Sequence, residues 1–358
     1  MAPAAEPLAR RHSRFWLFAP TVLLVLIAVG WSVAWLLVRN RAIGALDGWL
    51  ALEARAGRQW TCADRAVGGY PFRIEVACSS LAMRQGQVAL ALGPIRSVAQ
   101  VYRPGHIIAE IGGPMRLTDG HTSVEGSWRL AETSIRVRTQ GLQRASVVVE
   151  EPNVRIAGLT PTELSLGGRR VEAHVRPAPA HAASDRAVDV AIGAAGARLP
   201  MLDAWMGGTE PADLEVDLTA THALGFTGRP LVEEMEQWRQ SGGRIDLERL
   251  FVAKGARRAE AKGELALDEL HRPTGRLNVA ASGLDELVAA VTGDRNGSGS
   301  ALLGALLGQT PARENDTGRQ GAGSGQAALA PLPPLRLAEG RVYLGPFALP
   351  GVRLQPLY

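Results

Sequence analysis

Two cysteines, two lysines and four tyrosines in 358 residues leave this chain short of the side chains from which many sites are built. No G-x-x-x-x-G-K phosphate loop, G-x-S-x-G nucleophile elbow, H-E-x-x-H zinc helix or dinucleotide fingerprint after a strand occurs in it. The histidines (His12, His106, His121, His174, His181, His222 and His271) are scattered, with none paired at helical i, i+4 spacing. They read as surface or hydrogen-bonded core residues rather than metal ligands. Glu150 with Glu151, and Glu233, Glu234 and Glu236, read as a solvated turn and a solvated helix face. The expectation is a protein without a catalytic centre, a metal or a cofactor.

A net charge of +4 suggests an acidic partner until the charge is located. Residues 1–41 carry Arg10, Arg11, Arg14, Arg39 and Arg41 against Glu6, and the rest of the chain balances at 34 basic and 34 acidic side chains. The excess belongs to the N-terminal segment, which argues against nucleic acid as a partner. The basic group Lys254, Arg257, Arg258 and Lys262 is interrupted by Glu260 and reads as a solvated strand end or loop.

What the chain does have is one long apolar run, "FWLFAPTVLLVLIAVGWSVAWLLV", residues 15–38. As a helix it rises about 36 Å, enough for a hydrocarbon layer of about 30 Å. It exceeds the apolar core of a cleavable secretory signal, and Arg39 and Arg41 follow it at once. The expectation is an uncleaved signal anchor in the inner membrane, with residues 1–14 as a cytoplasmic tail and the body in the periplasm. Ile43, Leu46, Trp49 and Leu50 then recur at helical spacing, which predicts a short amphipathic helix leaving the membrane.

Cys62 and Cys78 are the only cysteines. An even count on the non-cytoplasmic side fits a structural disulfide, with two buried free thiols as the alternative. C-x-x-C redox spacing is absent, and no histidine lies between them.

From Gly68 the period changes to two: Phe72, Ile74 and Val76 share one strand face, opposite Arg73 and Glu75. The alternation returns at Ala131–Val137, Ala145–Val149, Val171–Val175, Val188–Ile192, Leu214–Leu218 and Leu277–Val279, with turn signals "RPG", "GGP", "EEPN", "LGG" and "RPTG" between. The fold class expected is mainly β: a large antiparallel sheet, curled or groove-like, with few helices. "RPLVEEMEQWRQSGG" predicts one helix, with Leu231, Met235 and Trp238 along one side, and "DELVAAVTG" a shorter one. The body spans residues 43–292, a flexible Gly/Ser/Pro-rich excursion 293–334, and strands returning to the sheet 335–358. "GGYPFR" (Gly69, Tyr70, Pro71, Phe72, Arg73) reads as a clamp that fixes the first edge of the sheet near the membrane, with a recognition element as the alternative.

Together "LDGWLALEARAGRQWTC", "GGYPFRIEVAC" and "PPLRLAEGRVYLGPFALP" resemble domain-of-unknown-function family 2125 of alphaproteobacterial envelope proteins, over nearly the whole chain. The second strong motif contributes Gly340, Tyr343, Gly345 and Pro346. The resemblance implies a Gram-negative envelope, an inner-membrane anchor and a periplasmic body, and no activity. Over about thirty residues, "AKGELALDELHRPTGRLNVAASGLDELVAAV" is similar to the repeating unit of AsmA-like envelope proteins, which implies shielding of lipid in an apolar groove. The expected function is to bind or shield lipid or another apolar envelope molecule. The alternative is a non-enzymatic structural or assembly factor with envelope proteins as partners.

Overall fold

A computed structural model describes residues 15–158, 160–223, 231–283 and 329–358. The tail 1–14, the helix expected from Asp285 and residues 293–328 of the excursion lie outside the described residues.

The apolar run and the amphipathic segment after it are not two helices. They form one, α1 (Phe15–Arg55), long and apolar enough in its first part to cross a membrane. Nothing between them breaks helical geometry, and Gly57, in the left-handed region, follows its end.

Strands make up most of the remainder. The first group is β1 (Gln59–Ala63), β2 (Ala66–Gly68), β3 (Arg73–Cys78), β4 (Ser80–Gln85), β5 (Val88–Leu92), β6 (Ile95–Gln100), β7 (Arg103–Ile111) and β8 (Met115–Thr118). Next come β9 (Ser123–Ser127), β10 (Leu130–Arg138), β11 (Gly141–Glu150), β12 (Asn153–Ala157), β13 (Leu164–Gly167), β14 (Arg170–Pro177) and β15 (Val188–Ala197). After helix α2 (Pro200–Met206) follow β16 (Ala212–Ala220), helix α3 (Leu231–Gln240), β17 (Ile245–Lys254), β18 (Arg257–Leu267) and β19 (Pro273–Ser282). The chain closes with β20 (Ala330–Pro331), β21 (Leu335–Ala338), β22 (Arg341–Leu344) and β23 (Phe347–Arg353).

All pairings are antiparallel. A seven-stranded sheet runs β1-β4-β5-β8-β9-β12-β13, and a 16-stranded one runs from β2 and β3 to β23, with β20 beside β19. Its two ends do not pair with each other, so the sheet is open.

The two sheets share their strands. Cys78 faces Ile95 and, three residues on, Leu81 faces Leu92, so the register passes from β3/β6 into β4/β5 unshifted. The same holds from Glu150–Arg170 to Asn153–Gly167. Backbone hydrogen bonds bridge the junction, among them Ser79 N–H to Ala63 O (2.9 Å), Gly112 N–H to Pro94 O (2.7 Å) and Gly168 N–H to Pro152 O (3.1 Å). The molecule is a meander of long hairpins with a transverse crease. The apolar positions step by one residue there, from Ile74 and Val76 to Leu81 and Met83. Asp64 and Glu151, with φ of 48° and 52°, sit at the crease as bulge-type residues.

This corrects the turn assignment. "GGP", "EEPN" and "LGG" lie where strands pass through the crease, and "RPG" lies inside β7; the actual turn is at Val101–Tyr102. Glycine is needed at the crease because chains approach closely: a Cβ on Gly93 would collide with the carbonyl oxygen of Gly113. Phe72 also departs from expectation. It precedes β3 in the turn and is exposed, rather than sharing a strand face with Ile74. In α3, Leu231 is exposed and Glu234 buried, the reverse of the expected arrangement.

Candidate functional site

Residues directly opposite in paired strands project to the same face, so register converts strand alternation into rows. One row begins Ile74, Ala99, Ile107, Ile135, Ala145, Val175, Val190, Leu218, Leu247. It continues through Gly263, Leu277, Leu335 and Leu344 to Phe347, fourteen strands without a polar side chain. Four residues along the strands, Ala131, Val149, Val171, Ala194, Leu214, Val252, Ala259, Ala281 and Ala330 form another unbroken apolar row over nine strands. Between them lies a row containing Val147, Ala173, Ile192, Val216, Leu250, Ala261 and Val279. In β17 one extra residue, at Glu248–Arg249, keeps Leu247 and Leu250 in phase with their neighbours.

The opposite face is polar. It carries the ion pairs Arg96–Glu75 (2.5 Å), Arg116–Glu125 (2.9 Å), Arg170–Glu172 (3.0 Å), Arg176–Asp189 (3.0 Å) and Arg249–Glu215 (2.8 Å).

At about 4.8 Å per strand the first row runs on the order of 60 Å, and over the seven strands from β11 to β19 where all three rows are apolar the band is about 14 Å wide, at about 3.4 Å per residue. That three-row part, on the order of 400–500 Å², is of the size of the largest apolar patch on a typical monomer, roughly 300–600 Å², which is often an interaction site. The band is not sealed: Val147 and Ile192, near its middle, keep 41% exposure each. Helix–sheet packing among the described residues is concentrated on α1 against β1 and β2 and on α2 against β13, away from the band's centre.

The second feature is the joint between α1 and the first sheet edge. The chain descends antiparallel to α1. Trp60 meets Glu53 and Trp49, Arg65 meets Asp47, and Val67 O accepts from Arg39 Nε at 3.2 Å. At the bottom Trp35 Nε1 donates to Arg73 O (3.0 Å) and Trp31 Nε1 to Pro71 O (2.9 Å), while Tyr70 hydroxyl and Ser32 Oγ lie 2.8 Å apart. The Tyr70 ring meets Trp35 edge-on at 5.4 Å. Gly69, with φ of 103°, lies so close to the strand start that a Cβ would come within 2.6 Å of Arg73 O. Tyr70–Pro71 is a cis peptide. Tyr70, Phe72 and Tyr102 remain exposed at this end of the sheet. Val101 N–H bonds Phe72 O at 3.0 Å, which sets Tyr102 beside them.

Cys62 in β1 and Cys78 in β3 form a disulfide, with Cα atoms 5.3 Å apart, that ties the two sheets together across the crease. The motif residues at the other end of the chain are not brought to the joint. Gly340 (φ 73°) and Gly345 (φ 58°) make the turns on either side of β22, with Pro346 after the second, at the far end of the strand order. Tyr343 packs under Arg336, whose guanidinium carbon is 4.7 Å from the ring centre.

Sequence reasoning misplaced one lysine. Lys254, expected to be solvated, is 1% exposed; its Nζ donates to Asp203 Oδ1 (2.5 Å) and Glu210 O (2.6 Å), fastening α2 to β17. A further cluster gathers Glu236, Arg239, His271 and Tyr358. Tyr358 hydroxyl donates to Glu236 Oε2 at 2.9 Å, and its ring stacks on His271 at 4.4 Å. The Arg239 guanidinium foremost, with Gln240 and Tyr358, holds the Glu236 carboxyl far below the ordinary carboxylate range. Among the described residues no group of three or more His, Cys, Asp or Glu is placed to hold a metal ion.

A family model described as an uncharacterised protein conserved in bacteria (DUF2125) matches residues 35–352, most of the chain. Nothing among curated proteins or solved structures matches it.

Proposed function

Since the chain belongs to the uncharacterised bacterial family DUF2125, we propose its role from the geometry: a membrane-anchored, non-enzymatic periplasmic protein that shelters lipid or another apolar envelope molecule on one face of its sheet. The observation that carries this reading is the apolar band, whose first row is continuous across fourteen strands and whose middle row is half-open at Val147 and Ile192. Each methylene taken from a bilayer into water costs about 0.8 kcal/mol, so an acyl chain of roughly 14 carbons faces a penalty on the order of 11 kcal/mol. A surface that only matches the bilayer interior removes most of it.

Three features support the placement. The disulfide favours an oxidising compartment. From Phe18 to Gly30 the side chains of α1 meet almost nothing, as a lipid-facing segment would. Trp31 lies about 24 Å along the helix from Phe15, short of a hydrocarbon thickness of about 30 Å. The Tyr70–Phe72 turn bound there therefore meets the bilayer's outer margin, where aromatic rings are favoured. The sheet then opens directly from the membrane surface.

Photocrosslinking from Val147 and Ile192 in cells tests this. Lipid adducts are expected. Adducts to other envelope proteins favour the assembly-factor alternative, for which β23, unpaired on its outer side among the described residues, is a docking edge; adducts only to the chain's own residues mean a filled interior, which overturns the lipid reading and leaves the assembly factor.

A further inference from the structure

On the polar face, at the end of the sheet that meets α1, a hollow of about 710 Å³ is lined by Arg103, Arg136, Arg138, Arg144, Arg176 and His106, and by no carboxylate among the described residues. Register explains the convergence. Arg136 faces His106 on one side and Arg144 on the other, Arg176 follows the Val175 that faces Ala145, and Arg103 and Arg138 stand at the strand ends beside the turns. Arg176 is held by Asp189 at 3.0 Å. The other four make no ion pair among the described residues, whereas Arg116 and Arg155, elsewhere on this face, share Glu125.

Like charges directly opposite in neighbouring strands repel. Four uncompensated guanidinium groups around one hollow form a site that an anion with several oxygens would complete, since the arginine fork matches phosphate geometry. The position identifies the source of that anion. The turn at Val101–Tyr102, next to Arg103, is hydrogen-bonded to Phe72 in the segment joined to Trp31 of α1. Arg103 therefore stands beside the exposed Tyr102, and the other arginines line the same end of the sheet one to three strands further on.

We propose that this arginine hollow binds the phosphate headgroups of anionic phospholipids in the bilayer that α1 crosses, which seats the end of the sheet on the membrane surface. It rests on the membrane-anchored reading above and extends it by naming the headgroup site.

The test uses the full-length chain in detergent micelles, titrated by calorimetry with dihexanoyl-phosphatidylglycerol, dihexanoyl-phosphatidylcholine and inorganic phosphate. Phosphatidylglycerol should bind saturably and most tightly. Basic residues near an anionic lipid surface contribute about 1 kcal/mol each, or about fivefold per arginine, so the Arg136→Gln, Arg138→Gln, Arg144→Gln triple variant should lose on the order of a hundredfold. An Arg116→Gln, Arg155→Gln, Arg249→Gln control, taken from ion-paired positions, should bind within about twofold of wild type. If the triple variant melts early, the single variants, each expected to lose about fivefold, replace it. Inorganic phosphate binding as tightly as phosphatidylglycerol, an unweakened triple variant, or an equal loss in the control each overturns the proposal. Crosslinking at Ile192 separates the two ideas: lost headgroup binding with acyl adducts retained upholds the arginine site, and intact headgroup binding without acyl adducts sinks the apolar shelter alone.

Discussion

Replacing Ile192 with aspartate distinguishes an open apolar surface from a closed core. Ile192 keeps 41% exposure, so about three fifths of its side chain is sheltered. Full burial of such a side chain stabilises by about 1.5–3 kcal/mol, and Ile192→Asp should therefore cost about 1–2 kcal/mol. The carboxylate at that position reaches water and avoids the penalty of an unpaired buried charge. Leu247→Asp is the comparator. Leu247 lies on the same face at 8% exposure, and there the charge is stranded at a cost of several kcal/mol. For lipid the order reverses. A carboxylate in the open middle of the band keeps two or three methylenes from contact, about 2 kcal/mol, or roughly thirtyfold weaker retention. The assay is a denaturant melt of the full-length protein followed by circular dichroism, with lipid per chain quantified by mass spectrometry on the same preparation. The reasoning fails if Ile192→Asp destabilises as much as Leu247→Asp, or if its lipid content equals that of wild type.

Other perturbations address the supports. Cys62→Ser should lower stability by about 3 kcal/mol, the chain-entropy value for a loop of this length, and reductant should have the same effect on wild type; a reductant-insensitive melt would refute it. Lys254→Met removes both bonds that hold α2, while Asp203, a third exposed, can rehydrate, so the expected loss is about 1–3 kcal/mol. Hydrogen exchange should then quicken in α2 before the sheet; uniform quickening would contradict the latch. Around Glu236 stand Arg239, Gln240, Tyr358 and His271, and the carboxyl is depressed in the folded state. Its contribution is complete above the ordinary carboxylate value of about 4.3 and is lost as pH falls from there towards the folded value. The Tyr358 ring resonances of wild type should change as pH falls below about 4.3, and Glu236→Gln should abolish that acid change; an acid change that survives the substitution would refute the contribution.

Much of the fold was legible because strand alternation is a local signal. Ala131–Val137, Val171–Val175 and Leu214–Leu218 all lie in strands with the expected face. The crease was hidden because its chemistry is that of a turn. Gly112, Gly113 and Pro114, or Glu151 and Pro152, end regular alternation in either case, and only the pairing beyond them shows that the strand continues. Length misled in α1: residues 15–38 satisfy a bilayer, yet Trp31 and Trp35 also serve the body, through indole N–H groups whose partners lie some forty residues away. The arginine hollow could not be read at all. Arg103, the Arg136–Arg144 hairpin and Arg176 are more than thirty residues apart in sequence, and only three antiparallel pairings bring them to one place.

The same pairing logic explains why the apolar face is left open. A meander satisfies every backbone group with its immediate neighbours, so the sheet can grow strand by strand without folding back on itself. Its first edge is occupied by α1, and the last strand carries Pro350, which suits a strand with one unpaired side. Hydrogen bonding thus sets no requirement for closure; only the apolar face does. The described helices beyond α1 are seven and ten residues long, about 10 and 15 Å, against a band on the order of 60 Å. A half-open apolar face of that extent marks a site of interaction. On the anchored reading proposed above, the nearest apolar material in quantity is the bilayer that α1 would cross.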